Sequence, residues 1–256
     1  MKILGIHFFT TRDRLLPILQ EGGGLVSVPS GPGLALDLMR IPIYRRALLE
    51  SNFVIPDSGF MVIIWNIIHA FNPRLWIKRY SGLRLIRDLL DQPDLRGHGA
   101  TFWVMPSVAD AETNVTWLRE NALPHISHDD CYVAPYYRGK LGPDGKVEDP
   151  VLLEAIRQRN PRYVFVNIGS GVQEQLGLYL KENLQSKPAI LCTGAAIAFL
   201  TGAQASIPPW ADRFYVGWVL RIWQDPKRFG IRYWRALRLC WIMARYGENI
   251  PPAEFA

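Results

Sequence analysis

Short apolar runs alternate with longer amphipathic segments along most of this chain. The short runs are rich in β-branched and aromatic residues and are followed by turn signals, which predicts strands. The longer segments repeat their apolar positions every three to four residues, which predicts helices. The predicted strands are Ile3–Phe9, Leu25–Val28, Phe53–Ile55, Thr101–Met105, Tyr163–Ile168 and Ala189–Thr193. This alternation indicates an α/β protein with a Rossmann-like, mainly parallel sheet and helices on both faces.

Ligands of such sheets bind beyond the carboxyl ends of the strands, so residues that directly follow a strand are the first candidates for a site. Asp57 follows the third predicted strand and a proline turn. A carboxylate in this position can act as a general base or bind a hydroxyl group. It can equally cap the N-terminus of the following helix. The residues alone leave both roles open.

A glycine-rich turn follows the fifth predicted strand. Gly169 and Gly171 permit close approach to the backbone, and the next helix would direct its N-terminal amides at a docked phosphate. Gln173 and Glu174, in the first turn of that helix, can hydrogen-bond a base or a ribose. Gly194 follows the last predicted strand in a similar arrangement. The turn lacks the third glycine of a GxGxxG motif, so it does not by itself specify a dinucleotide.

The composition is that of a globular protein, with 49% hydrophobic and 20% charged residues in a chain of 256. Three cysteines without a CxxC pair favour a reducing compartment and argue against a disulfide framework or a structural zinc site. The histidines and aspartates between residues 125 and 130 lack a further metal ligand, so a hydrated loop is favoured there and no cofactor is expected. The most apolar stretch, Phe60 to Phe71, would span about 18 Å as a helix, too short for a bilayer. The sequence therefore predicts a cytoplasmic protein, soluble or peripheral.

The positive charge is concentrated near the C-terminal end. Between Arg213 and Gly247 there are seven arginines and one lysine against a single acid, Asp225, which is a net charge of +7 in a chain whose total is +6. Four tryptophans lie among these residues. An Arg/Trp-rich segment is typical of a surface that meets anionic headgroups or pyrophosphate. Nucleic-acid binding fits the pI of 9.3 but is not favoured, because the basic residues are confined to one end and no nucleic-acid module is recognisable.

A helix is predicted from Ile231 to Tyr246 within this basic segment. One apolar stripe comprises Tyr233, Trp234, Leu237, Cys240, Trp241 and Ala244. Arginines occupy the opposite arc, which Leu239, Ile242 and Met243 interrupt. The stripe fits a membrane surface, the protein's own core or a second protomer, and the charge favours the membrane. We therefore divide the chain into an α/β domain, residues 1–208, and a basic amphipathic appendage, residues 209–256.

Six elements, taken in order, resemble the WecG/TagA/CpsF family of bacterial glycosyltransferases, and together they cover most of the chain. They are FVIPD ending at Asp57, RYSGLRLI from Arg79, the glycine turn before Gln173, GAAIAFLTG from Gly194, Pro208-x-Trp210, and the closing run from Trp218 to Tyr233. The closing run, with its ordered Trp, Arg, Pro and Arg-Tyr, is the most specific of the six.

The resemblance implies an inverting, metal-independent transfer from a nucleoside-diphosphate sugar, with UDP expected, of the hexosyl or N-acetylhexosaminyl type. The implied acceptor is a sugar on polyprenyl pyrophosphate at the inner face of the plasma membrane, in cell-envelope or exopolysaccharide synthesis. Asp57 would deprotonate the acceptor hydroxyl and Arg79 would face the diphosphate. The remaining donor-side residues would be Gly169, Gly171, Gln173, Glu174 and Gly194. The acceptor pyrophosphate and the membrane would be met by Arg221, Arg228, Arg232, Arg235 and Arg238.

The sequence departs from the family pattern at several positions. Ser27 and Ser30 stand where the family has a Thr-x-Asn pair, and the further departures are Ser58, Arg84, Ala198, Ser206 and Gly217. A changed donor or acceptor explains them, and so does a non-catalytic role as a membrane-associated assembly partner. Because Asp57, Arg79 and Gln173 are retained, the active alternative is favoured. The sequence does not specify the sugars, the linkage or whether the protein is a homo-oligomer.

Overall fold

A parallel β-sheet forms the centre of the protein. The computed structural model describes residues 1–137, 146–202, 215, 218–219, 223, 230 and 234–254. A two-stranded antiparallel hairpin, β1 (Lys2–Ile3) and β2 (Ile6–His7), precedes the strands of the central sheet. Those strands are β3 (Gly24–Ser27), β4 (Phe53–Val54), β5 (Thr101–Met105), β6 (Cys131–Val133), β7 (Tyr163–Val166) and β8 (Ala189–Cys192). They pair in the order β4-β3-β8-β7-β5-β6, every pair parallel.

Helices cover both faces of this sheet. The helices are α1 (Arg12–Gly22), α2 (Leu38–Arg40), α3 (Pro42–Glu50), α4 (Gly59–Ile68), α5 (Gly82–Leu90), α6 (Val108–Asn121), α7 (Pro150–Arg159), α8 (Val172–Asn183) and α9 (Arg238–Tyr246). A π-helical turn, Gly33–Asp37, precedes α2, and 3₁₀ turns occupy Pro73–Leu75, Pro93–Arg96, His128–Asp130 and Gly194–Phe199.

The inner strands β3, β5, β7 and β8 contribute alternate side chains to two hydrophobic cores. In β7, Tyr163 and Phe165 pack with residues of α1, α5 and α6. Val164 and Val166 pack on the other face with residues of α3, α7 and α8. All four side chains are fully buried, as expected for an inner parallel strand covered on both sides. The predicted α/β fold with a parallel sheet and helices on both faces is therefore confirmed.

A third hydrophobic cluster lies beside β4 and joins the two ends of the chain. It contains the β1–β2 hairpin, α4 with its fully buried Trp65, and Leu239, Ile242 and Met243 of α9. The backbone N–H of Leu4 donates to the carbonyl oxygen of Gly247 at 2.8 Å. The predicted C-terminal helix is thus present and docks on the protein's own core. The division at residue 208 stays a prediction, because residues 203–214 lie outside the described residues.

One strand prediction was wrong, and one strand was not predicted. The run Ile3–Phe9 is not one strand, because Leu4 and Gly5 have φ values of 50° and 78° and turn the chain into the hairpin. A Cβ on Gly5 would lie 2.5 Å from the Cβ of Ile250, so glycine is required there. The edge strand β6 was not predicted, since three residues are too few to show an alternating pattern. In the described part of the chain, every helix is too short or too polar to span a bilayer.

Candidate active site

Asp57 lies beyond the carboxyl end of β4, where a proline turn directs the chain away from the sheet. Its side chain is 29% exposed, and Oδ1 accepts a hydrogen bond at 3.0 Å from the backbone N–H of Gly82, the first residue of α5. The cap of α4 is Ser58, whose Oγ accepts from the N–H of Met61 at 3.2 Å. The carboxylate of Asp57 is therefore not used to cap the helix that follows it.

After α4 the chain returns to the neighbourhood of Asp57, where Arg79 contacts this residue. The N–H of Tyr80 donates to the carbonyl oxygen of Pro56 at 3.1 Å, which closes the excursion through α4. The Nε of Arg79 donates to the backbone carbonyl of Asp57, and its Nη2 lies 3.5 Å from Oδ1 of the same residue. A guanidinium and the positive N-terminus of α5 thus flank one carboxylate. This arrangement can bind an anionic or hydroxylated ligand.

The glycine turn connects β7 to α8. Gly171 has a φ of +93°, a conformation that side-chain-bearing residues rarely adopt. No atom of the described residues would lie within 4 Å of a Cβ added at Gly169. The predicted binding of a ligand at this turn stays a prediction.

Gln173 and Gly194 bring the turn into contact with the segment after β8. Gln173 is 2% exposed, and a Cβ on Gly194 would lie 3.2 Å from its Oε1. Its Nε2 donates to Oε1 of Glu174 at 2.9 Å. No group in the described part of the chain donates to the buried Oε1 of Gln173. Because an unsatisfied buried acceptor is costly, this oxygen is a candidate partner for a donor group of a ligand.

Glu174 is fully buried at the start of α8. Its Oε2 accepts from the N–H of Gly171 at 2.7 Å, and its Oε1 accepts from Gln173. Burial raises the pKa of Glu174 to about 7, against the lowering effect of these two hydrogen bonds, and nearby Asp37 raises it further. The side chain holds the glycine turn together in this structure. Its predicted contact with the nucleoside stays a prediction.

These groups lie along one edge of the sheet, in the order of the strands β4, β3, β8 and β7. A Cβ on Gly82 would lie 3.2 Å from Cγ1 of Val28, beyond β3, and 3.5 Å from the carbonyl oxygen of Thr193, beyond β8. The Oγ1 of Thr193 donates to Oδ1 of Asn167, just after β7, at 3.2 Å. The two predicted halves of the site are therefore continuous through packed residues.

Ser27, Ser30 and Ala198, which depart from the family pattern, are buried or lie close to other residues of the protein. Ser27 is fully buried, with its Oγ 2.7 Å from that of Ser51. The Oγ of Ser30 lies 3.1 Å from that of Ser170 and so reaches the glycine turn. Ala198 is 7% exposed in the 3₁₀ turn after β8. Of these positions, Ser30 is the one that joins the β3 end of the edge to the glycine turn.

Asp37 is a further candidate site residue, which the sequence pattern did not indicate. It ends the π-helical turn, and a Cβ on Gly171 would lie 3.5 Å from its Oδ2. A second acid, besides Glu174, therefore lies close to the glycine turn. The signal in the sequence was a single acid inside the apolar run GLALDLM, a pattern equally typical of an ordinary amphipathic helix.

The arginines predicted for the acceptor side are only partly within the described structure. Arg221, Arg228 and Arg232 lie outside the described residues, as does Ser206. Arg235 is exposed. Arg238 forms an ion pair with Glu254.

A metal centre is not evident in the described ranges, where no three His, Cys, Asp or Glu side chains come together. Burial raises the pKa of the Cys131 thiol to about 12, so this side chain is a poor thiolate nucleophile or metal ligand near neutral pH.

A parallel α/β sheet with a carboxylate–guanidinium pair and a glycine turn along its carboxyl edge is an arrangement typical of proteins that bind phosphate-containing ligands. The family described as glycosyl transferase WecG/TagA/CpsF matches residues 1–250. The chain belongs to this family, as its motifs indicated, and is a glycosyltransferase. It is also similar to the N-acetylglucosaminyldiphosphoundecaprenol N-acetyl-beta-D-mannosaminyltransferase of Bacillus spizizenii, with 23% identity over 211 residues. The match covers 82% of this chain and 76% of that protein.

Proposed function

We propose that this glycosyltransferase moves a sugar, with inversion, from a UDP-sugar to a sugar carried on polyprenyl pyrophosphate in cell-envelope or exopolysaccharide synthesis. The similar protein of Bacillus spizizenii is named for the acceptor N-acetylglucosaminyldiphosphoundecaprenol and for the transfer of an N-acetyl-beta-D-mannosaminyl group. The observation that carries the proposal is the pairing of Asp57 with Arg79 at the edge that also holds the glycine turn. A base and a leaving-group site must lie together for direct displacement.

Asp57 is the proposed general base. As the acceptor oxygen forms its bond to the anomeric carbon, its proton passes to Oδ2 of Asp57, because Oδ1 is held by Gly82. The bond from the anomeric carbon to the diphosphate breaks on the opposite face, and its electron pair leaves with the nucleoside diphosphate. In-line displacement of this kind inverts the configuration. A single carboxylate suffices, since no glycosyl-enzyme intermediate is formed.

The donor is proposed to bind between Arg79 and the glycine turn. The guanidinium of Arg79 neutralises charge that develops on the leaving diphosphate, which is the task a metal ion performs in other transferases. Gly169 and Gly171 admit the donor at the N-terminus of α8. The buried Oε1 of Gln173, beside Gly194, accepts a hydrogen bond from the bound nucleotide sugar. The transfer is therefore proposed to be independent of a metal ion.

Asp57→Asn tests the base. Asparagine keeps an Oδ1 to accept from Gly82, so the fold is retained while the proton acceptor is lost. We expect kcat to fall by about 10²–10⁴-fold, the usual contribution of a general base. The assay follows transfer from UDP-N-acetylhexosamines to a water-soluble, short-chain GlcNAc-pyrophosphate lipid by mass spectrometry. Asp91→Asn, at an exposed position at the end of α5, is the matched control. Full activity in Asp57→Asn would refute the assignment.

A thermal-shift screen with UDP, GDP, ADP and CMP, with and without magnesium, tests the donor site. A nucleotide at 100 times its Kd adds about 2.7 kcal/mol of stability. Stabilisation by UDP that does not need magnesium and is lost in Gln173→Ala supports the proposal. If no nucleotide stabilises the protein and no donor is transferred, the alternative of a non-catalytic assembly partner replaces it.

We further propose that the protein is peripheral at the inner face of the plasma membrane. The basic segment that contains Arg221, Arg228, Arg232 and Arg235 would face anionic headgroups and the acceptor pyrophosphate. Each basic residue near such a surface contributes about 1 kcal/mol. Arg238 is already paired with Glu254, so we expect it to contribute less than the exposed Arg235. A sedimentation assay with anionic vesicles, comparing Arg235→Ala with Arg238→Ala, checks this order.

A further inference from the structure

A second apolar surface lies far from the basic segment in sequence, at the end of the α4 excursion. Four large apolar side chains are exposed there: Ile67 by 64%, Ile68 by 40%, Phe71 by 103% and Trp76 by 52%. We call these four residues the tip patch. Monomeric proteins seldom present several large apolar side chains together, and such patches mark contact surfaces.

The backbone that presents the tip patch is held by hydrogen bonds. The indole N–H of Trp65 donates to the carbonyl oxygen of Leu75 at 2.8 Å, and that of Trp76 donates to the carbonyl of His69 at 2.9 Å. Asn66 bonds both backbone groups of Ile77 at 3.0 Å. The apolar side chains are therefore displayed by an ordered turn that the buried part of α4 supports.

The charge around the tip patch is positive. From Gly59 to Ser81 the sequence contains no acid, and Arg74 and Lys78 are exposed beside the patch. Apolar and aromatic side chains flanked by exposed cations are typical of surfaces that enter the headgroup region of an anionic membrane. An isologous contact between two copies would instead bring these like charges together.

The segment around helix α9 also presents exposed apolar side chains next to basic residues. It packs on α4 through Leu239, Ile242 and Met243. Trp241 of α9 is 57% exposed, and just before the helix Trp234 is 75% and Leu237 46% exposed. The two segments that contain the packed helices α4 and α9 thus both display tryptophan and aliphatic side chains next to basic residues.

We infer that the tip patch inserts into the anionic membrane surface and sets the height of Asp57 above the bilayer. The excursion leaves the sheet at Asp57 and returns at Arg79, which bonds back to Asp57. The ten residues of α4 span about 15 Å. Interfacial side chains enter the membrane by about 5–10 Å, so the carboxylate stands just outside the headgroups. The inference rests on the proposed function in this respect, since a lipid-linked sugar would be presented at that height.

Vesicle sedimentation of the full chain tests this contact without donor or acceptor. Vesicles of phosphatidylcholine with phosphatidylglycerol are compared with phosphatidylcholine alone. Phe71→Ser is expected to weaken the association by about tenfold or more, the value of one large apolar side chain leaving the interface. Ile67→Ser is expected to act in the same direction. Val151→Ser is the matched control, because Val151 is 69% exposed on α7, and it should change the association by less than about twofold.

A depth measurement separates insertion from a loss of charge or fold. An environment-sensitive fluorophore on Phe71→Cys is expected to shift its emission to the blue with anionic vesicles, whereas the same label on Val151→Cys should not. Phe71→Ser that binds vesicles as the unmodified protein does, or a label at residue 71 that stays in water, overturns the inference. Conversion of an oligomer to a monomer by Phe71→Ser, with unchanged vesicle binding, assigns the patch to a second copy and also overturns it.

The outcome is independent of the transfer reaction. Phe71→Ser should keep its activity on the water-soluble acceptor and lose activity on the acceptor in vesicles. Tip variants that bind vesicles normally while transfer proceeds would defeat the membrane inference alone. If the tip variants lose vesicle binding as expected but the unmodified protein transfers no sugar, the proposed function alone is refuted.

Discussion

Glu174 makes the stability of the fold depend on pH in the physiological range. It is fully buried, and burial raises its pKa from 4.5 to about 7, more than the hydrogen bonds from Gln173 and Gly171 lower it. Because the pKa is higher in the folded state, the folded protein binds a proton that the unfolded chain has released. The stability that this proton contributes is fully present below pH 4.5 and is lost as the pH rises through about 7.

The magnitude follows from the shift. A pKa raised from 4.5 to about 7 corresponds to about 3 kcal/mol, at 1.36 kcal/mol per unit. Glu174→Gln removes the ionisation. The glutamine oxygen can still accept from Gly171, and its amide can donate to Oε1 of Gln173 once that side-chain amide rotates by 180°. At pH 8 we expect the variant to be more stable than the original protein by about 1–3 kcal/mol, after about 1 kcal/mol is allowed for imperfect hydrogen bonding. At pH 5.5 the two should be nearly equal.

Urea unfolding followed by tryptophan fluorescence at several pH values between 5.5 and 8 measures this difference. The histidines are present in both proteins, so their contribution cancels in the comparison. Glu154→Gln, whose side chain is 57% exposed, is the matched control for replacing a carboxylate by an amide. The reasoning fails if the difference in unfolding free energy between Glu174→Gln and the original protein is constant across this pH range. The carboxyl group of Glu174 would then not be protonated near neutral pH.

Two further substitutions test the packing that positions the site. Gly177→Ala is expected to destabilise the fold by about 1–3 kcal/mol through overpacking, because its Cβ would lie 2.5 Å from the Sγ of Cys192; an unchanged urea midpoint would contradict the packing of α8 on β8. Asp88→Asn should cost about 1–3 kcal/mol, since Asp88 accepts two hydrogen bonds from Arg12 and one from Tyr80. Equal midpoints for Asp88→Asn and the double variant Arg12→Ala/Asp88→Asn would show that Arg12 stabilises the fold only through Asp88.

The strand pattern could be predicted where strands are buried on both faces. The strands β5, β7 and β8 are long enough, and apolar enough, to stand out from their surroundings. The hairpin at Leu4 and Gly5 was missed because an apolar run does not reveal a change of backbone direction. Its turn depends on a positive φ and on the approach of Ile250 from the other end of the chain. Contacts between distant segments are not encoded in local periodicity.

The same limit applies to predicting the candidate site from the sequence. The positions of Asp57 and the glycine turn after strands could be predicted, because the parallel fold collects strand ends on one edge. The contact between Asp57 and Arg79 could not, since it depends on how the chain returns after α4. Asp37 was missed for a related reason: its approach to the glycine turn comes from a π-helical turn that propensity does not predict.

The orientation of α9 could not be predicted from periodicity either, and the reason bears on the membrane. The segment has apolar residues on two arcs, so its pattern defines which residues share a face without saying which face is buried. The aliphatic arc, Leu239, Ile242 and Met243, is buried against α4 and the N-terminal hairpin. The arc with Trp234 and Trp241 stays exposed. Unbranched and branched aliphatic chains fill an irregular core closely, whereas tryptophans next to arginines are better placed at a polar boundary. Leu239, Ile242 and Met243, which interrupt the arc of arginines, therefore hold the helix on the core. This packing leaves the aromatic stripe available for a membrane.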